Sequence, residues 1–137
     1  MRQPSSLSVK VNWLIDAHTT FAEETRMIDV SRAGARLSVS RELEIGQPLQ
    51  LSFAMNRLLR AYDKNEPLYH VWAIVRSVAC LMSNETGMIR YEIGVAFTGQ
   101  TPPDGYLESP EKRYELKPSP SSLGLWQVRE IRGRPVY

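Results

Sequence analysis

The first hundred residues are divided into short segments in which apolar and polar side chains alternate, with turn-forming residues between them. Alternation with a period of two is typical of a strand that buries one face. The pattern predicts strands at 8–14, 20–30, 35–39, 48–55, 68–81 and 88–97. Six short antiparallel strands leave no exposed edge when they close on themselves. We therefore predict an all-β fold, a six-stranded antiparallel barrel.

The last forty residues follow a different pattern. Ser109, Pro110 and the acidic residue after them are typical of the start of a helix, and prolines follow soon after. This arrangement predicts a short C-terminal helix near 109–117. Residues 125–131 alternate again, which favours one extra strand in an otherwise irregular tail.

The chain of 137 residues has the length of one compact domain. We expect a barrel domain over residues 1–100 and a Pro/Ser-rich extension over residues 101–137. Inside the barrel, the polar segment 56–67 fits either a long hairpin loop or one helical turn, and its sequence does not distinguish between them.

Charge and cysteine content restrict the partners and the location. Lys and Arg total 17 against 15 Asp and Glu, and a net charge of +2 does not favour binding to duplex nucleic acid. The lone Cys80 excludes an intrachain disulfide, and its apolar neighbours predict a buried thiol. No apolar stretch approaches the roughly 20 residues that cross a bilayer. We therefore expect a cytoplasmic protein without a transmembrane segment.

The sequence offers little material for catalysis. The two histidines, His18 and His70, have no Cys, Asp or Glu at a spacing that suits a metal site. Neither a nucleophile turn nor a Gly-rich phosphate loop is recognisable. We predict a protein that is not an enzyme, with no catalytic residue and no bound metal.

The most informative segment is 29–34, which reads Asp-Val-Ser-Arg-Ala-Gly. Asp29 and Ser31 are two residues apart at a strand end, so their side chains point the same way. A carboxylate with a hydroxyl beside it matches the donor groups on a guanine edge. Gly34 allows a close backbone approach or a positive φ. The alternative interpretation is a structural turn, in which Asp29 bonds its own loop.

Segment 29–34 also matches the DxSxxG motif of the PilZ family, bacterial receptors for cyclic di-GMP. Three further segments resemble strands of that family, in the same order: 46–51 (G-x-x-L-x-L), 71–76 (V-x-A-x-V-R) and 93–97 (I-G-V-x-F). The resemblance spans about residues 2–97. It implies a PilZ-like barrel.

The resemblance also implies a ligand-binding set. In the family, Asp and Ser of DxSxxG hold a guanine, and an RxxxR motif before the first strand wraps the ligand. Arg2 falls where the second of those arginines belongs, while the first would precede Met1 and is not in this sequence. The implied cyclic di-GMP contacts are therefore Arg2, Asp29, Ser31 and Gly34.

Three more arginines flank the motif: Arg26, Arg32 and Arg36. They are candidates for accessory contacts to an anion, and the alternative for each is a solvated charge on a strand.

Three functions remain open at this point. The first is a cyclic di-GMP receptor that transmits the signal to a partner protein, which in this family is a motor, pilus machinery, a polysaccharide synthase or a regulator. The second is a ligand-silent PilZ-like adaptor that binds only protein. The third is a barrel that binds single-stranded nucleic acid. No cofactor is expected beside the cyclic dinucleotide.

Overall fold

A computed structural model describes the backbone of Gln3–Pro4 and residues 7–82, 87–118 and 120–131. Within these residues the chain forms nine strands and one short 3₁₀ turn, Arg57–Leu59. The strands are β1 Gln3–Pro4, β2 Ser8–Asp16, β3 Thr19–Val30, β4 Gly34–Val39, β5 Pro48–Phe53, β6 Tyr69–Met82, β7 Ile89–Gly99, β8 Tyr114–Leu116 and β9 Val128–Glu130.

Six antiparallel strands, β2 to β7, form a closed barrel. Their order in the sheet is β3-β2-β5-β6-β7-β4, and a further pairing between β3 and β4 closes the ring. The predicted all-β, six-stranded barrel is confirmed. β1 extends the sheet beside the end of β3, where β2 no longer pairs.

The barrel interior is filled by alternate side chains of all six strands. Fully buried examples are Val11, Leu37, Leu51, Val71 and Ile93. A second, smaller apolar cluster lies on the outside of the barrel, where Tyr106 and Tyr114 of the extension cover Ile74 of β6. The extension therefore packs on the outer face of the barrel.

The predicted helix near 109–117 is wrong. Turns occupy the residues before β8, and β8 pairs with β9 in a small separate sheet. Tyr114 and Leu116 both pack against the outer cluster. Residues two apart share a face only in a strand, because a helix would turn them to opposite sides. Packing therefore overrides the local helix-start pattern.

The extra strand predicted at 125–131 is present as β9, with β8 as its partner. The segment attaches to the barrel just before β9, where the Trp126 backbone N–H donates to the Phe97 carbonyl over 2.8 Å.

Arg60 organises the loop that the sequence left undecided. Its side chain is only 2% exposed, and it donates to the carbonyl oxygens of Met55, Asp63 and Glu66 over 3.0, 2.7 and 2.6 Å. The loop contains the 3₁₀ turn Arg57–Leu59 and otherwise folds around this guanidinium. A buried charge is tolerated here because backbone oxygens replace its water.

The thiol of Cys80 is exposed, so the prediction of a buried cysteine is wrong. β5 stops pairing with β6 at Ile74. Beyond that point β6 continues as one arm of a hairpin with β7, and Leu81 and Met82 are exposed together with Cys80. The apolar composition of this stretch therefore does not indicate burial. Among the described residues, no helix is long and apolar enough to cross a membrane.

Candidate ligand-binding face around Asp29

A β-bulge in β3 determines which way Asp29 points. Met27 pairs with Leu37 and Asp29 pairs with Arg36, so β3 has one residue more than β4 in this interval. Met27 lies in the barrel core, and regular alternation would send Asp29 to the same side. The extra residue reverses the alternation. Val30 therefore lies in the core, and Asp29 is placed on the outer face.

Arg36 holds the Asp29 carboxylate from the neighbouring strand. Its Nε donates to Oδ2 of Asp29 over 2.7 Å, and its Nη2 lies 2.5 Å from the same oxygen. The Asp29 side chain is 8% exposed and that of Arg36 is 44% exposed. The hydrogen bond and charge of Asp29 raise the pKa of Arg36 above its ordinary value. The carboxylate is therefore fixed in direction at the end of β3.

Glu92 of β7 extends this ion pair. Its Oε2 lies 3.4 Å from Nη1 of Arg36, so the guanidinium joins carboxylates of β3 and β7 from its own position on β4. No local pattern in the sequence indicates a role for Glu92. Glu92 lies opposite Ser38, and this position follows only from the pairing of β4 with β7.

Ser31 closes the turn that follows Asp29. Its backbone N–H donates to the Gly34 carbonyl over 2.8 Å. Its hydroxyl donates to that same oxygen and accepts from the Ala33 N–H, both over 3.3 Å. These two side-chain contacts are long for hydrogen bonds. The hydroxyl is therefore only weakly held by its own turn.

Gly34 is required by packing inside the barrel. A Cβ at this position would lie 2.2 Å from the Val95 carbonyl oxygen on β7. Its φ is not among the positive values, which occur at other glycines of the described chain. Of the two roles expected for this glycine, the structure shows a close backbone approach, and the approaching backbone belongs to β7.

Arg32 points away from the Asp29–Arg36 pair. Its Nη2 donates to the Leu58 carbonyl over 3.1 Å, so the side chain is used in a contact with the 3₁₀ turn. Arg26 lies further back along β3, opposite Ser8 of β2, with an exposed side chain. Of the three accessory arginines, the structure brings Arg36 to Asp29.

Arg2 lies outside the described residues. The backbone that follows it is described, and it runs beside the motif. Gln3 pairs with Val30, and Pro4 pairs with Asp29. The N-terminal segment therefore enters the barrel along the edge that carries Asp29.

The residues beside Arg36 on the outer face have small side chains or none. The partner of Arg36 on β7 is Gly94, and the partner of Gly94 on β6 is Ser77. A Cβ at Gly94 would lie 2.5 Å from the Ser77 hydroxyl oxygen. Ser77 and Gly94 thus continue the row that Asp29 and Arg36 begin. In the sequence, Gly94 is visible only as part of the strand pattern at 93–97.

The two histidines lie apart from this face. His18 lies in the β2–β3 turn, where its backbone N–H donates to Asp16. His70 bonds Ser52 across β5 and β6, with 2.7 Å between Nδ1 and Oγ. Among the residues that the structure describes, no group of three His, Cys, Asp or Glu side chains is placed to hold a metal.

A cleft of about 910 Å³ lies elsewhere, between residues 101–105 and the β8–β9 sheet. Lys112, Lys117 and Arg129 contribute its positive charges, and Glu130 pairs with Lys112 over 2.7 Å. Asp29, Ser31, Gly34 and Arg36 are not among its lining residues. This cleft is therefore separate from the predicted site.

Comparison with known proteins gives the same assignment as the motifs. Residues 2–108 match the PilZ domain family. The chain belongs to the PilZ domain family, and its barrel carries the DxSxxG motif at the β3–β4 turn. No curated protein sequence matches.

Solved structures of other proteins align with this chain. MrkH of K. pneumonia in its apo state aligns with a TM-score of 0.53 and 12% identity, over 74% of this chain and 41% of that chain. The Borreliella burgdorferi PlzA protein in complex with c-di-GMP gives 0.49 and 7%, over 72% and 39%. The Bacillus subtilis inhibitor of motility MotI gives 0.47 and 12%, over 78% and 44%. The chain thus spans about two fifths of the length of each of these proteins.

Proposed function

We propose that this chain is a cyclic di-GMP receptor module, and that the ligand binds on the outer face around Asp29, Ser31 and Arg36. The observation that carries the proposal is the outward Asp29 carboxylate, fixed by Arg36 at the start of a complete DxSxxG turn. Membership of the PilZ domain family supports the choice of ligand.

Each polar group of this face has a role in the proposal. The Asp29 carboxylate accepts the N–H groups of a guanine edge, and the loosely held Ser31 hydroxyl turns from Gly34 to the ligand. Arg36 keeps the Asp29 carboxylate oriented. Arg2, next to the segment that pairs with Val30, supplies a forked cation for a phosphate or the second guanine edge. Gly34 keeps the turn against β7.

PilZ domains are binding and adaptor modules, and we infer that this one acts by binding rather than by catalysis. The bound state is then read by a partner protein in the cytoplasm, such as a motor, pilus machinery, a polysaccharide synthase or a regulator.

Titration calorimetry with cyclic di-GMP tests the proposal. Asp29→Ala is expected to weaken binding by about 1.5–3 kcal/mol, the scale of a hydrogen bond to a charged group. Asp104→Ala is the matched control, because it removes a carboxylate of equal charge from the cleft beside β8 and β9. Equal affinity of Asp29→Ala and the native chain would place the ligand elsewhere. No binding by the native chain would favour the ligand-silent adaptor.

The N-terminal arginine has its own test. Arg2→Ala is expected to weaken binding of cyclic di-GMP. A variant with a short N-terminal extension that places an arginine four positions before Arg2 is expected to bind it more tightly. Ordering the N-terminal segment over the ligand costs about 1–2 kcal/mol of backbone entropy per residue. A second arginine adds a second forked contact to the ligand, which offsets more of that cost. Thermal unfolding of both variants serves as the control for folding. Three equal affinities would show that no arginine clamp operates.

A further inference from the structure

The C-terminal extension reaches the DxSxxG turn. Residues 121–126, which we call the clip, form a tight turn in which the Ser121 N–H donates to the Leu125 carbonyl over 2.8 Å. Gly124 closes this turn with a φ of 88° and is buried. The clip is therefore a compact unit with its own hydrogen bonds.

Gly124 lies directly on the backbone of Arg32. A Cβ at Gly124 would be 2.6 Å from Cγ of Arg32 and 2.7 Å from its carbonyl oxygen. Arg32 is the residue after Ser31 in the motif. There is no room for a side chain between the clip and the turn that carries the proposed ligand contacts.

A shared strand residue connects the clip and the turn a second time. The backbone N–H of Phe97 donates to the Ala33 carbonyl over 2.9 Å, and the Phe97 carbonyl accepts from Trp126 over 2.8 Å. Phe97 is fully buried in the barrel core. The guanidinium of Arg76 lies 5.0 Å from the centre of the Trp126 ring and holds the clip from the side of β6.

The motif turn is thus supported on several sides by different parts of the chain. The Arg32 side chain bonds Leu58 of the 3₁₀ turn, the Arg32 backbone contacts Gly124, and Ala33 bonds Phe97. The hydroxyl of Ser31 makes only long contacts within the turn. Contacts from outside the turn therefore hold the conformation of the segment that carries Ser31.

We propose that the clip is a positioning element of the ligand site, so that cyclic di-GMP and the docked clip stabilise each other. The inference rests on the proposed function, because it names a further part of the same site. The reason is linkage: the ligand and the clip both require one conformation of the turn, and each therefore increases the population that the other binds. Gly124 acts through Arg32 and makes no contact with ligand.

The experiment compares Gly124→Ala with Gly87→Ala. Both glycines have a positive φ, 88° and 69°, so both variants carry a similar backbone strain. A Cβ at Gly87 meets nothing within 4 Å, whereas at Gly124 it meets Arg32. In titration calorimetry, Gly124→Ala is expected to bind cyclic di-GMP about tenfold more weakly than the native chain. Gly87→Ala is expected to bind like the native chain.

Hydrogen exchange measures the coupling in both directions, from the ligand to the clip and from the clip to the motif turn. A purely structural clip would show no change in exchange when the ligand binds. In the native chain, cyclic di-GMP is expected to slow exchange at the clip amides of Gly124 and Trp126. Without ligand, Gly124→Ala is expected to speed exchange at the Ser31 amide, and Gly87→Ala to leave it unchanged.

The outcomes separate the two claims. If the native chain binds the ligand and both glycine variants bind equally well, the positioning role is overturned and the proposed function stands. If ligand binding leaves exchange at the clip unchanged, the coupling is overturned. If the native chain does not bind cyclic di-GMP, the proposed function is overturned. The role of the clip at a ligand site is then overturned as well.

Discussion

Arg36 places two nitrogens on a single carboxylate oxygen of Asp29, with Nε at 2.7 Å and Nη2 at 2.5 Å. The two residues pair across β3 and β4 directly after the bulge that turns Asp29 outward. The residue that orients Asp29 belongs to the neighbouring strand β4. The orientation of the Asp29 carboxylate therefore depends on the register between β3 and β4.

Loss of the Arg36 fork is expected to impair ligand binding more than stability. Arg36→Gln removes the guanidinium that orients Asp29, and we expect cyclic di-GMP affinity to fall about tenfold. The unfolding free energy should change less than the binding free energy, because the Arg36 side chain is 44% exposed. Calorimetry and urea unfolding measure the two effects. Arg57→Gln, at an exposed position, is the control. If Arg36→Gln and Arg57→Gln bind cyclic di-GMP with equal affinity, Arg36 has no role in ligand binding.

Gly34 is expected to matter for the barrel itself. In Gly34→Ala the new methyl carbon meets the Val95 carbonyl at 2.2 Å, so β4 and β7 must separate. We expect a loss of about 2–3 kcal/mol of unfolding free energy. Gly87→Ala, where the methyl meets no atom within 4 Å, should cost about 1 kcal/mol through its backbone alone. Equal losses in urea unfolding would show that the strands accommodate a side chain at Gly34.

Arg60 is expected to be one of the most sensitive positions in the chain. Arg60→Met fills much of the volume but leaves the carbonyls of Met55, Asp63 and Glu66 without their donor. We expect a loss of about 3 kcal/mol, since each abandoned buried acceptor costs about 1–3 kcal/mol and some regain water. Arg57→Met, in the same loop and exposed, should be nearly neutral. Thermal unfolding that ranks the two variants equally would contradict the buried role of Arg60.

Tyr106 is expected to make stability fall at alkaline pH. Burial raises the pKa of Tyr106 above its usual value of about 10, so the folded state favours the neutral phenol. That contribution is fully present below pH about 10 and is lost as the pH rises through the folded pKa.

The pH dependence of Tyr106→Phe is the measurement. The variant should lose about 1–2 kcal/mol at neutral pH, because the Leu14 N–H loses its acceptor at 2.9 Å. Above pH about 10 its stability should decline less steeply than that of the native chain. An unchanged slope in urea unfolding would mean that other groups account for the alkaline loss.

The sequence predicted the barrel because the strand signal is local. Alternation along β2, β5 and β7 is visible without any partner, and the turns between strands have their own residue preferences. The motif at 29–34 was also readable. Its three defining positions lie within six residues, and their chemistry can be recognised without the rest of the fold.

Contacts between distant parts of the chain were not readable in this way. The bulge at Met27–Asp29 depends on the register of β3 against β4, and the pairing of Arg36 with Glu92 depends on β7. The helix predicted near 109–117 was overridden by the outer cluster around Ile74. The approach of Gly124 to Arg32 joins positions 92 residues apart, and no local pattern indicates it.

The central claim is that cyclic di-GMP binds at the turn between β3 and β4, and backbone amide chemical shifts during a ligand titration test it most directly. The account predicts that the largest changes occur at residues 29–34, at Arg36, and in the N-terminal segment that pairs with Val30. Changes centred on the cleft between residues 101–105 and the β8–β9 sheet, or no changes at saturating ligand, would contradict it.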